Sequence, residues 1–351
     1  MDADTKKQRK LAAVKARRHI YTETVQPKTF FTLLSDEEKD KYIAGERLRL
    51  SKSLKRKKVK HNIITALGLI LAAAISVVAL VPIFFTFLNS FMSSEEIVSN
   101  YSVIFQSMSG YASKGATYLD KMPVLKLIPE QVTIKQYTTL LFMNPAYLFK
   151  FWNSIVLTIP IVAGQMVVAC LASYSFARYR RKRREVLFFS YIILMLMPFQ
   201  VTLVPNYMIS SDLGILNTIW AIILPGIFST FAIFLLTKYM RQIPSGYIEA
   251  ATLDGATEWQ IFTRIALPLC KNAIFALTIL LFIDYWNMVE QPLVLLTDVE
   301  KQPLSVFLSQ INEPEMGIAF AASAVYMIPP LLIFLWGEEY LVEGISRSGI
   351  K

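Results

Sequence analysis

Histidine and cysteine are scarce in this chain. Its 351 residues include two histidines, His19 and His61, and two cysteines, Cys170 and Cys270. Two distant histidines are too few for a metal cluster or a serine–histidine relay. Two cysteines so far apart in sequence favour neither a disulfide framework nor a metal site. We therefore expect no metal and no catalytic residue in this chain, and we expect both cysteines to be buried as small apolar side chains.

Charge is missing from long segments of the sequence, namely residues 62–94, 151–177, 186–211, 213–237 and 316–337. Each exceeds the roughly 20 residues that cross a bilayer core as a helix. A sixth segment, residues 272–295, is dense in Ile, Leu, Phe and Trp but contains Asp284 and Glu290. The pattern predicts an all-α polytopic membrane protein. We place its six transmembrane helices at about residues 63–88, 152–176, 187–209, 217–237, 272–295 and 317–337.

Lysine and arginine predict the orientation of these spans. Basic clusters lie at Lys55–Lys60, before the first span, and at Arg178–Arg184, after the second. Four more basic residues lie between the fourth and fifth spans, whereas residues 210–217 contain none. Because basic residues favour the cytoplasmic side, we expect both termini and the segment 245–268 in the cytoplasm. Segment 91–150 is then the one sizeable external loop.

The sequence also predicts three regions along the chain. They are a basic cytoplasmic tail at 1–61, a six-span domain at 62–340 and a short cytoplasmic tail at 341–351. The basic tail carries 18 Lys or Arg against 8 Asp or Glu, and Ser35 with Glu38 forms a capping pattern for a helix towards Lys60. Such charge serves as an orientation signal or as an attachment to anionic lipid. Few aromatic residues interleave with it, which disfavours nucleic acid as a partner.

The segment between the fourth and fifth spans has the signals of a helix-turn-helix. Ser245 is placed to cap a helix over residues 246–254, and Gly255 is placed to end it in the left-handed conformation. Thr257 and Gln260 then form a capping box that opens a second helix. Its apolar side chains exceed what a connector needs, so we expect them to fill a groove on the same subunit or on a soluble partner. These side chains are Ile248, Leu253, Trp259 and Phe262.

The spacing of this segment, E-A-A-x3-G-x9-I-x-L-P, resembles the EAA loop of the membrane subunits of ABC importers. The residues that carry the resemblance are Glu249, Ala250, Ala251, Asp254, Gly255, Ile265, Leu267 and Pro268. In that family the loop docks onto the ATPase, so we name residues 245–268 the coupling loop. The resemblance implies that Glu249 makes a charged contact with the ATPase, that Gly255 forms the turn, and that Pro268 breaks the loop from the fifth span.

Further motifs between Asn153 and Lys351 resemble carbohydrate permeases of the maltose type. They include residues 171–178 (LASYSFAR), 198–205 (PFQVTLVP), 214–218 (GILNT) and 343–351 (EGISRSGIK). The resemblance implies the type I importer permease architecture in a bacterial or archaeal plasma membrane, and a sugar or oligosaccharide as the transported solute. It implies four kinds of partner: a second permease, a pair of ATPases, an extracytoplasmic solute-binding protein and the lipid membrane.

A phosphate-binding motif G-x-x-x-x-G-K-[ST] is absent from the sequence. We therefore expect the ATPase to be a separate polypeptide that binds ATP and magnesium, while this chain binds no cofactor and is not an enzyme. Two other classes of protein stay possible on sequence grounds. A secondary transporter would favour inverted repeats or acidic residues in several spans, and a membrane-embedded enzyme would need a catalytic cluster within the bundle. Neither signal is evident in the sequence.

One turn departs from the family pattern. An acidic residue usually follows Trp286-Asn287 in the family, whereas this chain has Met288 there and Asp284 two residues before the tryptophan. An ionisable residue at membrane depth is costly in lipid. We therefore name Asp284, Trp286 and Asn287 as candidates for the translocation path. Asp284 is expected to face the bundle interior or a watery cavity, or else to pair with a polar neighbour or lie near the membrane surface.

Overall fold

The structure, a computed structural model, describes residues 35–109, 126, 128–179, 182–311 and 315–348. Within these residues the chain is α-helical, and its only β-type contact is a single bridge between Met92 and Val132. The chain divides into two compact units, residues 1–80 and 81–351. The all-α prediction is thereby confirmed.

Fifteen α-helices lie in the described part of the chain. In chain order they are α1 Asp36–Asn89, α2 Ser94–Ser109, α3 Lys135–Thr138, α4 Pro145–Arg178, α5 Lys182–Met195, α6 Phe199–Asp212, α7 Trp220–Gly226, α8 Thr230–Met240, α9 Ser245–Leu253, α10 Glu258–Ile261, α11 Leu267–Leu269, α12 Lys271–Trp286, α13 Glu290–Leu295, α14 Leu304–Ser309 and α15 Met316–Ser348. Two π-helical turns, Thr139–Met143 and Phe262–Ala266, extend α3 and join α10 to α11.

Four helical segments of the described chain are long and apolar enough to cross a membrane, and six if each of two bent pairs counts as one span. The four are Lys57–Asn89, Pro145–Arg178, Trp220–Met240 and Met316–Leu341. The bent pairs are α5 with α6 and the segment Glu258–Leu269 with α12. This result agrees with a polytopic protein of six spans.

The third predicted span, residues 187–209, is not one continuous helix. Helices α5 and α6 meet at an angle of 101°. Pro198 lies at the break in an extended conformation, with φ −63° and ψ 141°. Proline has no amide hydrogen to donate, and it disfavours a helical conformation for the preceding residue, Met197. The predicted third span therefore consists of two helices that meet at Pro198.

The fifth predicted span, residues 272–295, is also interrupted. Helix α12 ends at Trp286, with Asn287 as its C-cap, and Glu290–Leu295 forms the separate helix α13. Pro292 lies inside α13 and cannot donate a backbone hydrogen bond to extend α12 across this turn. The apolar composition of residues 289–295 predicted a span that ends at residue 295, whereas helix α12 ends at Trp286.

Both predicted tails are partly helical. Helix α1 begins directly after Ser35 and continues without interruption through Pro82 to Asn89, past the predicted boundary at residue 61. Helix α15 likewise continues to Ser348, past the boundary predicted at residue 340. No proline lies near either boundary, so the helices run on from the spans into the charged segments. His19 and most of the basic tail lie outside the described residues.

The main core of the second unit joins α4, α8, the coupling loop and α12. Its buried members include Leu236, Phe262, Leu277 and both Cys170 and Cys270. The two cysteines are free and buried, as expected for small apolar residues. Helices α12 and α15 approach so closely that a β-carbon at Gly337 would collide with the side chain of Ile279. The coupling loop is therefore part of the same core as the spans on either side of it.

A carboxylate organises the described part of the predicted external loop. The side chain of Glu96 accepts hydrogen bonds from the backbone amides of Glu130 and Gln131, each at 3.0 Å, and its Oε1 lies 3.7 Å from Lys126 Nζ. Desolvation raises the pKa of Glu96, but these amides and the Lys126 ammonium outweigh it and hold the pKa below its usual value. These contacts fasten the start of α2 to residues 130–131.

Candidate functional site

The coupling loop begins with helix α9, which starts one residue earlier than predicted. Pro244 occupies the N-cap position with φ −58° and ψ 132°, and Ser245 is the first helical residue. No side-chain hydrogen bond caps this helix. The expectation that Ser245 caps α9 was therefore wrong, because the proline already sets the extended conformation from which the helix begins.

Gly255 ends α9 as predicted. Its φ is +80°, in the left-handed region that residues with a β-carbon adopt at a cost. The amide of Ala256 donates to the carbonyl of Ala251 at 2.9 Å, and the amide of Gly255 donates to the carbonyl of Thr252 at 3.1 Å. This pair of bonds is the Schellman motif. The space around Gly255 is open, so any strain from a substitution would come from the backbone conformation.

The predicted capping box at the start of the second helix is present. Thr257 Oγ1 accepts from the amide of Gln260 at 3.3 Å, and Gln260 Oε1 accepts from the amide of Thr257 at 2.8 Å. The helical path then continues from Glu258 to Leu269 through the π-helical turn. The coupling loop is therefore a helix-turn-helix with both internal ends capped.

The apolar residues of the loop divide between two surroundings. Phe262 is only 5% exposed and lies in the main core, with its ring 5.1 Å from that of Tyr174. Leu253 and Trp259 are 88% and 64% exposed. Helix α9 contains no buried residue at all, and Glu249 is exposed on it. One part of the loop thus packs on the subunit itself. Helix α9 and Trp259 form an exposed surface that carries both apolar and charged side chains.

The loop turns into the fifth span at Cys270 and not at Pro268. Pro268 lies in the first turn of α11, where the missing amide hydrogen removes no helical bond, so the helix passes through it. Cys270 has φ −96° and ψ 7°, and the segment Glu258–Leu269 meets α12 there at 72°. The break predicted at Pro268 is therefore displaced by two residues.

A polar contact that the sequence did not reveal ties this loop to the second span. The carboxylate of Glu258 lies 3.1 Å from Arg178 Nη2 and 2.8 Å from Tyr174 Oη. A second ion pair nearby joins Arg241 to Glu185 at 2.7 Å. The partners are 56 to 84 positions apart in sequence, so no local spacing could have indicated either contact.

The three candidate path residues differ in their surroundings. Trp286 is 1% exposed, with its ring stacked on Phe282 and Tyr326 at 5.5 and 5.4 Å. Its Nε1 donates to the carbonyl of Tyr326 at 3.1 Å. Asn287 is exposed and accepts from the hydroxyl of Tyr326 at 3.0 Å. Trp286 is therefore a core residue of this subunit, and its role in the translocation path stays a prediction.

Asp284 is exposed on α12. In the part of the chain that the structure describes, no hydrogen bond or ion pair engages its carboxylate, so the expected polar partner within the subunit is absent there. A carboxylate facing lipid at this depth would cost at least about 2.5 kcal/mol. This cost favours a surface of α12 that faces water or another subunit of an assembly.

Replacement of Asp284 by Asn tests this position. Asp284→Asn keeps the shape of the side chain and removes its charge, so we expect altered uptake with unchanged abundance in the membrane. Uptake of radiolabelled solute and quantitative immunoblotting of the membrane fraction would measure the two. Asp212→Asn, which removes a charge from the exposed last residue of α6, serves as the matched control and should leave uptake unchanged. Normal uptake with Asp284→Asn would show that the carboxylate is only interfacial.

The sequence of this chain matches the model of a known protein family. The family described as "Binding-protein-dependent transport system inner membrane component" matches residues 165–347, more than half of the chain, including the whole coupling loop. The chain belongs to this family. As an inner membrane component of a transport system, it is a multi-pass permease subunit, and transport rather than catalysis is the activity of its family.

Three curated relatives illustrate the family. The chain is 29% identical over 230 residues to the arabinooligosaccharides transport system permease protein AraQ of Bacillus subtilis, covering 65% of this chain and 82% of AraQ. It is 30% identical to the lactose transport system permease protein LacG of Rhizobium radiobacter, with coverages of 60% and 81%. It is 25% identical to the sn-glycerol-3-phosphate transport system permease protein UgpE of Brucella melitensis, with coverages of 80% and 95%.

A solved structure shows the same fold. One chain of a bacterial ABC transporter involved in the import of the acidic polysaccharide alginate aligns with a TM-score of 0.62, covering 80% of this permease and 96% of that chain. The sequence identity is 23%, so the similarity concerns the fold. The predicted architecture of an ABC importer permease is thereby confirmed.

Proposed function

We propose that this permease couples ATP hydrolysis by separate ATPase subunits to solute import through its coupling loop. The observation that carries the proposal is the surface formed by α9 and Trp259: α9 has no buried residue, and the apolar side chains of Leu253 and Trp259 are both exposed. A large exposed apolar side chain on a rigid element marks a docking surface. Glu249 and Asp254 add negative charge to this surface. Together with the family membership, this surface supports an ATPase as its occupant.

The absence of the phosphate-binding motif supports the assignment of ATP and magnesium to the partner and of no cofactor to this chain. The family description supports a solute-binding protein on the opposite side of the membrane. The remaining partner is a second, homologous permease, which would supply the other half of the path. The distribution of basic residues supports both termini and the coupling loop on the ATPase side of the membrane.

The continuous helical segment of the coupling loop suggests how movement of the ATPases would be transmitted to α12. Between the Schellman turn at Gly255 and the break at Cys270, the helical path is continuous. Movement of the docked ATPases would displace this segment as a unit and change its 72° angle to α12. A change at that angle would reorient the fifth span and so alternate access to the solute.

A sugar or oligosaccharide is the solute that we propose. Two of the relatives are named as permeases for arabinooligosaccharides and for lactose, and a third for sn-glycerol-3-phosphate. The motifs shared with carbohydrate permeases support the same class. Whether α12 or its neighbours contact the solute depends on the second permease, because the path would lie between the two.

Uptake measurements in cells that lack the gene for this permease would test the proposal. Arabino-oligosaccharides, lactose and sn-glycerol 3-phosphate, each radiolabelled, would be supplied with and without the restored gene. We expect uptake of a saccharide to require the permease, its ATPase and cellular ATP. Uptake that persists after ATP depletion and follows an ion gradient would overturn the coupling proposal. Uptake of the glycerol phosphate alone would overturn the saccharide proposal.

A further inference from the structure

Glu258 makes three polar contacts with the C-terminal end of α4. Its Oε1 lies 3.1 Å from Arg178 Nη2, and its Oε2 lies 3.4 Å from Arg178 Nε. The hydroxyl of Tyr174 donates to Oε2 at 2.8 Å. The two-pronged arginine contact fixes the direction of the carboxylate as well as its distance. We name the three side chains Tyr174, Arg178 and Glu258 the α4 clamp.

Tyr174 contributes to the clamp in a second way. While its hydroxyl reaches Glu258, its ring lies 5.1 Å from that of Phe262, and Phe262 lies 5.4 Å from Trp259. Aromatic pairs at such distances stabilise a contact beyond simple burial. One turn of α4 therefore holds both the first residue of α10 and the aromatic residue that follows this helix.

The α4 clamp joins the coupling loop to a helix that does not adjoin the loop in sequence. The coupling loop is covalently continuous with α8 on one side and with α12 on the other, whereas α4 ends 67 positions before the loop begins. Helices α8 and α12 also pack on α4 in the main core, and the α4 clamp is the direct polar contact between the loop and α4. We propose that Glu258 is a positioning residue, which fastens the second helix of the coupling loop to α4 so that α4 and α12 move together. This inference rests on the proposed coupling function.

The α4 clamp contributes little to folding. The side chains of Arg178 and Glu258 are 30% and 44% exposed, and ion pairs that face solvent are weak because water screens them. Phe262 is buried in the main core, so the packing of the loop on the subunit does not depend on the ion pair alone. Loss of Glu258 should therefore leave the permease folded, and its effect should appear in the transport cycle.

The test uses the whole transporter in proteoliposomes with its binding protein and the saccharide identified by the uptake measurements. Solute import and ATP hydrolysis are measured together for wild type, Glu258→Ala and Arg178→Gln. We expect the number of solutes imported per ATP to fall about fivefold in both variants, a change of about 1 kcal/mol in coupling, at normal abundance. Arg183→Gln, which removes a basic charge from an exposed residue of the same segment, should leave the ratio unchanged.

Charge exchange separates a specific contact from a general structural effect. The double variant Arg178→Glu with Glu258→Arg restores an ion pair of opposite polarity, so we expect the import ratio to return to within about twofold of wild type. An unchanged ratio in Glu258→Ala, or a double variant no better than the singles, would overturn the α4 clamp. If Gly255→Asp still uncouples transport in the same preparation, only this inference fails and the proposed function stands.

Discussion

Replacement of Gly255 by Asp should abolish most solute uptake while the permease stays in the membrane. Its φ of +80° strains any residue with a β-carbon, at a cost of about 1–3 kcal/mol. The strain would disturb the Schellman bonds of Ala256 and Gly255 and so the angle between α9 and α10. The new carboxylate would also lie on the proposed docking surface. We expect a loss of at least tenfold in uptake, which corresponds to about 1.4 kcal/mol.

Gly214→Asp is the matched control for this variant. Gly214 has φ +67° and, like Gly255, has open space around its α-carbon. It lies between α6 and α7, in the segment 210–217, which contains no basic residue and which we therefore expect on the side of the membrane opposite the ATPases. The control carries the same backbone strain and the same charge without touching the docking surface. Uptake within about twofold of wild type for Gly255→Asp, or an equal loss for Gly214→Asp, would contradict the coupling role.

The coupling loop could be predicted from sequence because its structure depends on local contacts. The Schellman turn at Gly255 and the capping box of Thr257 with Gln260 each involve residues within five positions of each other. Such patterns depend on residue type and spacing alone. The wrong N-cap prediction for α9 has a related cause. Pro244 and Ser245 are adjacent and either could precede the helix, and Pro244 is the N-cap residue.

The breaks in the third and fifth spans were harder to predict. A hydrophobic run indicates that a segment is long enough to cross a bilayer, but it does not indicate whether the helix is straight. Prolines occur inside continuous helices here as well, since α1 passes through Pro82 and α4 through Pro160. Pro198 breaks its helix and Pro160 does not, so the difference depends on packing around each proline.

The contacts that organise the site across the bundle could not be predicted. Glu258 meets Tyr174 across 84 positions, and Trp286 meets Tyr326 across 40. The sequence offered no pattern for these pairs. It therefore gave no sign that the ring of Trp286 packs in the core, and the path role of Trp286 stays a prediction. Exposure of Asp284 and burial of Trp286, two positions apart, follow from the opposite faces of α12 on which they lie.

Truncation of Trp286 should have the largest effect on stability. Its ring lies between Phe282 and Tyr326, and its Nε1 donates to the carbonyl of Tyr326. The hydroxyl of Tyr326 donates back to the carbonyl of Trp286 at 2.6 Å. Trp286→Ala removes the stacked ring and leaves a cavity, so we expect the free energy of unfolding to fall by about 3–5 kcal/mol. Lower abundance in the membrane and a lower melting temperature of the purified transporter would measure the loss.

Two control variants test whether the loss of stability comes from the buried ring of Trp286. Trp286→Phe keeps a stacked ring and the bond that Tyr326 donates to the backbone, so it should lose only about 1 kcal/mol for the missing indole hydrogen bond. Trp152→Ala removes an indole that is 53% exposed, and it should cost less still. A path residue would behave differently, because its loss would change uptake at normal abundance. If Trp286→Ala altered uptake but left abundance and melting temperature normal, the result would contradict the stability prediction and support a role for Trp286 in the translocation path.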